Sequence, residues 1–395
     1  MMKRRIGKFI PIPFMIMCFF IPFDGTSQDK NPKSVKTAYR FTVDHEVERM
    51  PVQDQYMTGT CWCFATLSLL ESELIRTGKE AVNLSEMFIA RHAYPQKAAG
   101  YVRLHGRTTF WEGGQSHDVI DMIRRYGIVP EEAYPAMIPG ESRHNHGELI
   151  TVLKSMLDAV LEKKGERITP VWMNAFTSVL NAYLGKPPER FTYEGTEYTP
   201  RRFFEDRVGL DLDDFIEITS YTHHPFYEKC RLEIPDNWTF SSHYYNVPVD
   251  DLERIIDHAL ENGYSVAWDG DWSEKYYDDR IKGVALVPMK DWEDQTKAEQ
   301  DEEITKPVEE KEITQMCRQE TLDNFTSTDD HLMHIVGQAH DQEGTKFYLT
   351  KDSFGTDRIY GGYMYLSRSY LRLKTLFIMI NRNALPADIK TKLGI

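Results

Sequence analysis

Apolar side chains recur at intervals of three and four directly after Cys61. Phe64, Leu67, Leu70, Leu74 and Ile75 share one face, and Gly78 stands where a C-cap would end the helix. The same period returns further on. One segment opens at Asn83-Leu84-Ser85-Glu86, where either Asn83 or Ser85 suits the N-cap, and Ser116 suits the cap of a helix through Tyr126. Over Gly147–Lys164 the apolar face is Leu149, Ile150, Leu153, Met156, Leu157, Val160 and Leu161, ended by Gly165. Pro170–Leu184 predicts another helix, stopped by Gly185 and Pro187-Pro188, and Pro248–Glu261 a further one, closed by Asn262-Gly263. Tyr264–Trp268 reads as a strand. His331–Ala339, Lys346–Asp352, Gly362–Leu366 and Leu376–Asn381 read as antiparallel strands joined by Gly-containing turns.

Helices crowd the early part of the chain and strands the late part, which predicts an α+β fold of two packed lobes. The expected divisions are a helical lobe over 45–140, a helical insertion over 141–235 and a β-rich lobe over 236–390, approached from about Thr219. Residues 28–44 read as a tethering strand or extended arm. Residues 291–320, rich in Glu, read as a solvated loop or hinge.

Composition narrows the class. The chain has 395 residues and a formal charge of −14. An acidic protein gains nothing from phosphate backbones, so nucleic acid is not an expected partner. At the N-terminus Lys3, Arg4, Arg5 and Lys8 precede an apolar run over Ile10–Phe23, too short to span a bilayer. Gly25-Thr26-Ser27 then offers small residues for cleavage before Gln28. Residues 1–27 therefore read as a signal peptide, and 28–395 as an exported mature chain of charge −17 with no membrane span. Cys61, Cys63, Cys230 and Cys317 remain, too few for a disulfide framework. Cys63 falls on another face of the helix from Cys61 and reads as a core residue.

Cys61 carries the candidate chemistry. At the first turn of a helix, free backbone N–H groups and the positive dipole end favour a thiolate. Gln55, six residues earlier, is placed to donate to an oxyanion. Far downstream, the stretches around His331, at a strand start, and Asp352 look like the rest of a nucleophilic constellation. His334 falls on the other face of that strand, so one metal ion could not easily use both histidines. Gly113-Gly114 suits either a plain turn or a cleft wall that a peptide backbone approaches closely. The pairs His144/His146 and His223/His224 lack Cys or carboxylates at ligand spacing in the sequence.

These elements together resemble the papain-like cysteine peptidases, and within them the bleomycin hydrolase (aminopeptidase C) branch. The resemblance rests on Gln55 with Cys61-Trp62, on Asp330–Gly337 and on Asp352-Ser353-Phe354-Gly355. Pro51-Val52, Gly113-Gly114-Gln115, Tyr126–Pro130 and Asn246-Val247-Pro248 match the branch. It spans roughly residues 45–390 and implies a papain-like two-lobe fold enlarged by helical insertions. The insertions account for a His lying 270 residues beyond the Cys, where plain members have about 130–150.

The resemblance implies a cysteine peptidase acting on peptide substrates with no metal or organic cofactor. Cys61 would be the nucleophile, His331 the base, Asp352 its orienting partner and Gln55 the oxyanion donor. Trp62, Gly113 and Gly114 would line the substrate site. Two residues depart from the family pattern. Asp352 stands where Asn is usual, which should raise the His331 pKa, and Phe354 replaces a shielding Trp. Papain's disulfide cysteine is matched by Thr58. In the branch a C-terminal carboxylate enters the cleft and pairs with the substrate's α-amino group. The segment from Arg382 to Ile395 resembles the approach to that tail but stops earlier. The expectation favours an aminopeptidase with the Ile395 carboxylate in the cleft. An endopeptidase with an open cleft, or a non-catalytic peptide-binding homologue, stands as the alternative. Assembly is left open, a homo-oligomer among the outcomes.

Overall fold

A computed structural model describes residues 38–163, 167–280, 282–301, 304 and 306–395. The expected signal peptide, the first part of the expected arm and Gly165 lie outside the described residues. Helix Cys61–Arg76 forms as its periodicity predicts, and Gly78, at φ +71°, ends it. Helix Glu86–Arg103 takes Ser85, not Asn83, as its cap: the Phe88 N–H donates to Ser85 Oγ at 3.1 Å. Helix Ser116–Tyr126 starts one residue earlier than expected, with Gln115 as N-cap. The Asp118 carboxylate accepts the Gln115 N–H at 2.8 Å, so Ser116 already lies inside the helix. Helices Gly147–Leu161 and Val171–Leu184 pack beside them through Leu149, Leu153, Leu157, Phe176 and Leu180, all buried.

The second lobe is a large, mostly antiparallel sheet. At its centre, Val266–Gly270 pairs with His331–His340 on one side and Thr375–Asn381 on the other. Lys346–Lys351 and Tyr363–Ser367 continue outward from His331–His340. Thr42–Glu46 pairs with the far end of that strand, so the arm is tethered there as expected. The strand at the C-terminal end of the chain does not follow by a simple turn. A helix, Arg368–Lys374, carries it across the sheet to pair with Phe215–Thr219. Phe215–Thr219, inside the span expected to be helical insertion, is therefore a strand of this sheet. The later part of 291–320 also differs from a solvated loop, whereas residues 291–301 are exposed or half-buried as expected. Glu310 accepts from the Val287 N–H and Ser367 Oγ, and helix Gln315–Asp323 buries Arg318, which donates to the Ser220 and Arg372 carbonyls.

Strand alternation sorts the sheet into two faces. Ala267, Leu332, Phe377 and Met379 join the core shared with the helical lobe. Val266, Trp268, Met333, Ile335, Ile378 and Ile380 join a second core, covered by helix Val249–Glu261 through Leu252, Ile255 and Ile256. Across the lobe boundary, Lys351 Nζ donates to Ser68 Oγ at 2.8 Å, and Ser68 bonds His334 Nδ1 at 2.9 Å. Burial, with help from Lys351, holds His334 far below its ordinary pKa, so the ring is the neutral acceptor. His117, on the second helical residue of Ser116–Tyr126, bonds Glu217 on strand Phe215–Thr219 at 2.9 Å.

Burial alone would lower the His117 pKa, but Glu217 and Asp118 overcome it and lift it from 6.5 to about 9. A raised folded-state pKa contributes stability that is complete below about 6.5 and lost as pH rises through about 9. Glu217→Gln should therefore flatten the loss of unfolding free energy across that window. Urea unfolding of both proteins at its two ends measures the difference.

Candidate active site

Cys61 is the first residue of its helix; the Cys63 N–H already donates to the Thr60 carbonyl at 2.8 Å, whereas the Cys61 N–H comes too early for an intrahelical acceptor. The loop before it is pinned by small polar groups. Thr58 Oγ1 donates to the Gln55 carbonyl at 3.0 Å and lies 2.6 Å from Thr60 Oγ1. Gln55 is buried and its amide is oriented at both ends. Ser353 Oγ donates to its Oε1, and its Nε2 donates to the Thr58 carbonyl at 2.6 Å. That leaves one Nε2 proton free for another acceptor. The backbone repeats the tie, since the Gln55 N–H donates to the Ser353 carbonyl at 2.8 Å.

His331 opens its strand from the other lobe. Its Nε2 donates to Asp352 Oδ1 at 2.8 Å, and the neighbouring Cys61 side chain also acts on the ring, raising its pKa. With Nε2 engaged, Nδ1 is the nitrogen left for the thiol. Asp352 Oδ1 also accepts the Ser353 N–H at 2.7 Å, which fixes the carboxylate. Burial pulls the His331 pKa down. The Asp352 charge and hydrogen bond, with Cys61 adding to them, more than reverse this and lift it to about 10.

The Asp352 and Phe354 departures are thus accommodated in the geometry. Phe354 stacks on His331 with ring centroids 5.1 Å apart. Trp272, from the loop after Val266–Gly270, packs against both: 4.9 Å from the His331 ring and 5.4 Å from Phe354. An indole therefore covers the imidazole after all, but from a different loop. Sequence reasoning missed Trp272, because Asp271-Trp272-Ser273 carries no motif and only sheet pairing brings it here.

The expected substrate residues divide. Gly113 and Gly114 form a tight wall beside Cys61-Trp62: a Cβ at Gly114 would sit 2.9 Å from Trp62 Cε2. Trp62 itself is wholly buried and donates to the Glu112 carbonyl at 3.0 Å. It supports that wall from behind and offers no face to a peptide. Ile395 is not brought to Cys61. The last helix, Ala387–Leu393, docks on Val249–Glu261 through Arg254 with Asp388 and through Lys392 with Tyr227 and Asp251. Ile395 packs against the core on that face of the sheet, opposite the face that meets the Cys61 helix.

Cys63 is fully buried, and burial raises its thiol pKa well above the ordinary value. All four described cysteines are free. His144 and His146 are buried, and a carboxylate is near: His146 Nδ1 lies 3.2 Å from Glu112 Oε1. His223 and His224 do have a carboxylate nearby, for the fold brings Glu233 within 3.3 and 3.0 Å of them. Among the described residues, no helix is long and apolar enough to cross a membrane.

A two-lobed α+β protein with a thiol, an imidazole and a carboxylate at the lobe boundary fits the papain-like cysteine peptidases. The comparisons agree. The family model described as Peptidase C1-like family matches residues 98–394, so the chain belongs to that family and is a cysteine-type peptidase. The matched span includes His331 and Asp352, and Cys61 precedes it. Aminopeptidase C of Streptococcus thermophilus is 22% identical, over 92% of this chain and 86% of that protein. Aminopeptidase W of Lactobacillus delbrueckii subsp. lactis is 22% identical, over 88% and 84%. The solved structure of PepW from Lactobacillus rhamnosis covers 89% of this chain and 84% of its own, with a TM-score of 0.68 and 19% identity, a likeness of fold.

Asp352→Asn keeps an acceptor for His331 Nε2 but removes the charge that sustains the imidazolium. The ring should then deprotonate at lower pH, and the alkaline limb of the kcat profile for peptide hydrolysis, where His331 must protonate the leaving amine, should move down by about one pH unit or more. Hydrolysis rates across the pH range measure it. An unmoved limb would mean the charge of Asp352 is not what lifts His331.

Proposed function

We propose that this protein is an aminopeptidase of the bleomycin hydrolase type, with Cys61 as nucleophile. The observation that carries the reading is the His331 ring held between Asp352 and the Cys61 side chain, with the thiol at a helix start. The similarity to aminopeptidases C and W over most of their lengths supports the exopeptidase part.

In this reading Cys61 Sγ, as thiolate, adds to the carbonyl carbon of the scissile bond. The oxyanion accepts from the Cys61 N–H and from the free Nε2 proton of Gln55. His331 Nδ1 then gives its proton to the leaving amine, the C–N bond breaks, and an acyl-thioester remains. A water molecule attacks that ester as Nδ1 takes its proton back, and the Cys61 thiolate leaves. Asp352 keeps the ring oriented and charged. Ser353 has a positioning role, since it orients the Gln55 amide.

The basic start and apolar run over residues 1–27 support export of the mature chain, to the periplasm or beyond. Cys61→Ala should abolish hydrolysis of unblocked peptides while leaving the unfolding midpoint near that of the parent, because the site is a helix start and not a core centre. Retained turnover would refute the nucleophile. The aminopeptidase part predicts faster hydrolysis of peptides with a free α-amine than of their N-acetylated forms. Preference for blocked peptides, or cleavage within long chains, would favour the endopeptidase.

A further inference from the structure

Beside the Gly113-Gly114 wall the fold gathers acids that the Cys61–His331–Asp352 arrangement does not use. Asp236 lies so close to Gly113 that a Cβ there would overlap its carboxylate. Its backbone N–H donates to Asp329 Oδ2 at 3.0 Å, and the Gln115 side chain reaches the same oxygen at 3.4 Å. Asp329 stands two residues before His331. The third acid, Asp269, shares a strand face with Ala267, which aims it at the helical lobe. It is wholly buried, and neither of its oxygens has a hydrogen-bond partner among the described residues. The charges it feels are those of Asp329, Cys61, Asp236 and Asp330.

Nearby acids show what an ordinary structural carboxylate looks like here. Asp330 accepts from Thr328 Oγ1 and the Ser273 N–H, and Asp271 accepts from Ser273 and Lys374. Asp236, Asp329 and Asp269 have no bonded cation of the kind Lys374 supplies to Asp271 among the described residues. Lys97 acts on Asp236 and Asp329 at a distance, but its ammonium bonds the Gly113 carbonyl and makes no ion pair among the described residues. Burial accordingly raises the pKa of all three acids, opposed at Asp236 by Lys97 alone. Asp269 is buried and Asp236 and Asp329 are half-buried; carboxylates so placed, with no cation bonded to them, are short of positive charge, and an arriving cation supplies it.

We propose that Asp236 and Asp329, with Asp269 behind them, form an ammonium site beside Cys61 that takes the substrate's free α-amino group. The proposal rests on the aminopeptidase reading and deepens it. A primary ammonium offers three donors and one charge to a cluster of acceptors, whereas an N-acetyl group removes the charge and leaves one donor. Ile395 packs on the opposite face of the sheet, whereas Asp269 lies within electrostatic reach of Cys61.

The test compares kcat and KM on a free peptide and its N-acetylated twin, for the parent and for Asp236→Asn and Asp329→Asn. The expected result is a fall of about tenfold or more in the free-over-blocked ratio of kcat/KM, mainly through KM for the free peptide. Asp330→Asn, altering an acid already satisfied, should keep the parent's ratio. If both variants keep that ratio, the proposal falls and the aminopeptidase reading stands. Equal losses on both peptides would reduce the acids to a structural role and also overturn it. If the parent instead prefers blocked peptides carrying Lys beside the cleaved residue, and Asp329→Asn removes that preference, the aminopeptidase reading falls. The α-amino assignment falls with it.

Discussion

Everything at this site depends on the packing of one helix against one strand. Helix Cys61–Arg76 belongs to the first lobe and His331–His340 to the second, and they meet where Ser68 joins Lys351 and His334. A thiol and an imidazole borne on different lobes can bond only if that contact is rigid. Dispersion and buried apolar area supply the attraction, through Phe64, Ala65, Leu332 and Ala267. The buried Lys351–Ser68–His334 relay contributes direction, because misplacing any member would leave a polar group without a partner. The ties at His117–Glu217 and at Asn381 Nδ2 to Glu73, the latter 2.9 Å, hold the same boundary further out.

Local patterns in the sequence were good guides to local structure and poor guides to sheet order. Phe64, Leu67, Leu70 and Leu74 announced their helix because their periodicity is set by the helix itself. The strands at 331, 346 and 363 were legible for the same reason. Nothing local could say that Thr375–Asn381 crosses the sheet to lie between Val266–Gly270 and Phe215–Thr219. The Arg368–Lys374 helix that makes this crossing was missed, its seven residues too few to show a period. Glu310 and Arg318 looked like surface charges by composition, yet both are enclosed by partners from distant parts of the chain.

The site divides along similar lines. Gln55, Cys61, His331 and Asp352 were legible because the chemistry demands particular side chains near particular element ends. Trp272 and the three acids of the ammonium site were not, since each acquires its meaning from a neighbour that only folding supplies. Trp62 shows the opposite error. Its place next to Cys61 suggested contact with a peptide, whereas a residue adjacent on a helix points about 100° away, here into the core.

The Thr58–Thr60 hydroxyl pair bears on how the protein tolerates redox change. A loop stitched by a disulfide would loosen under the reductants that keep a reactive thiol alive. Here the loop before Cys61 is held by hydroxyls and an amide, and the described cysteines are all unpaired. Reductant can therefore guard the thiol without weakening its mount. Oxidant meets a different situation. Cys63 is sealed in the core, so a sulfenic acid at Cys61 has no neighbouring thiol to trap it as a reversible disulfide. A sulfur that goes on to sulfinic acid has passed the reversible part of the oxidation ladder.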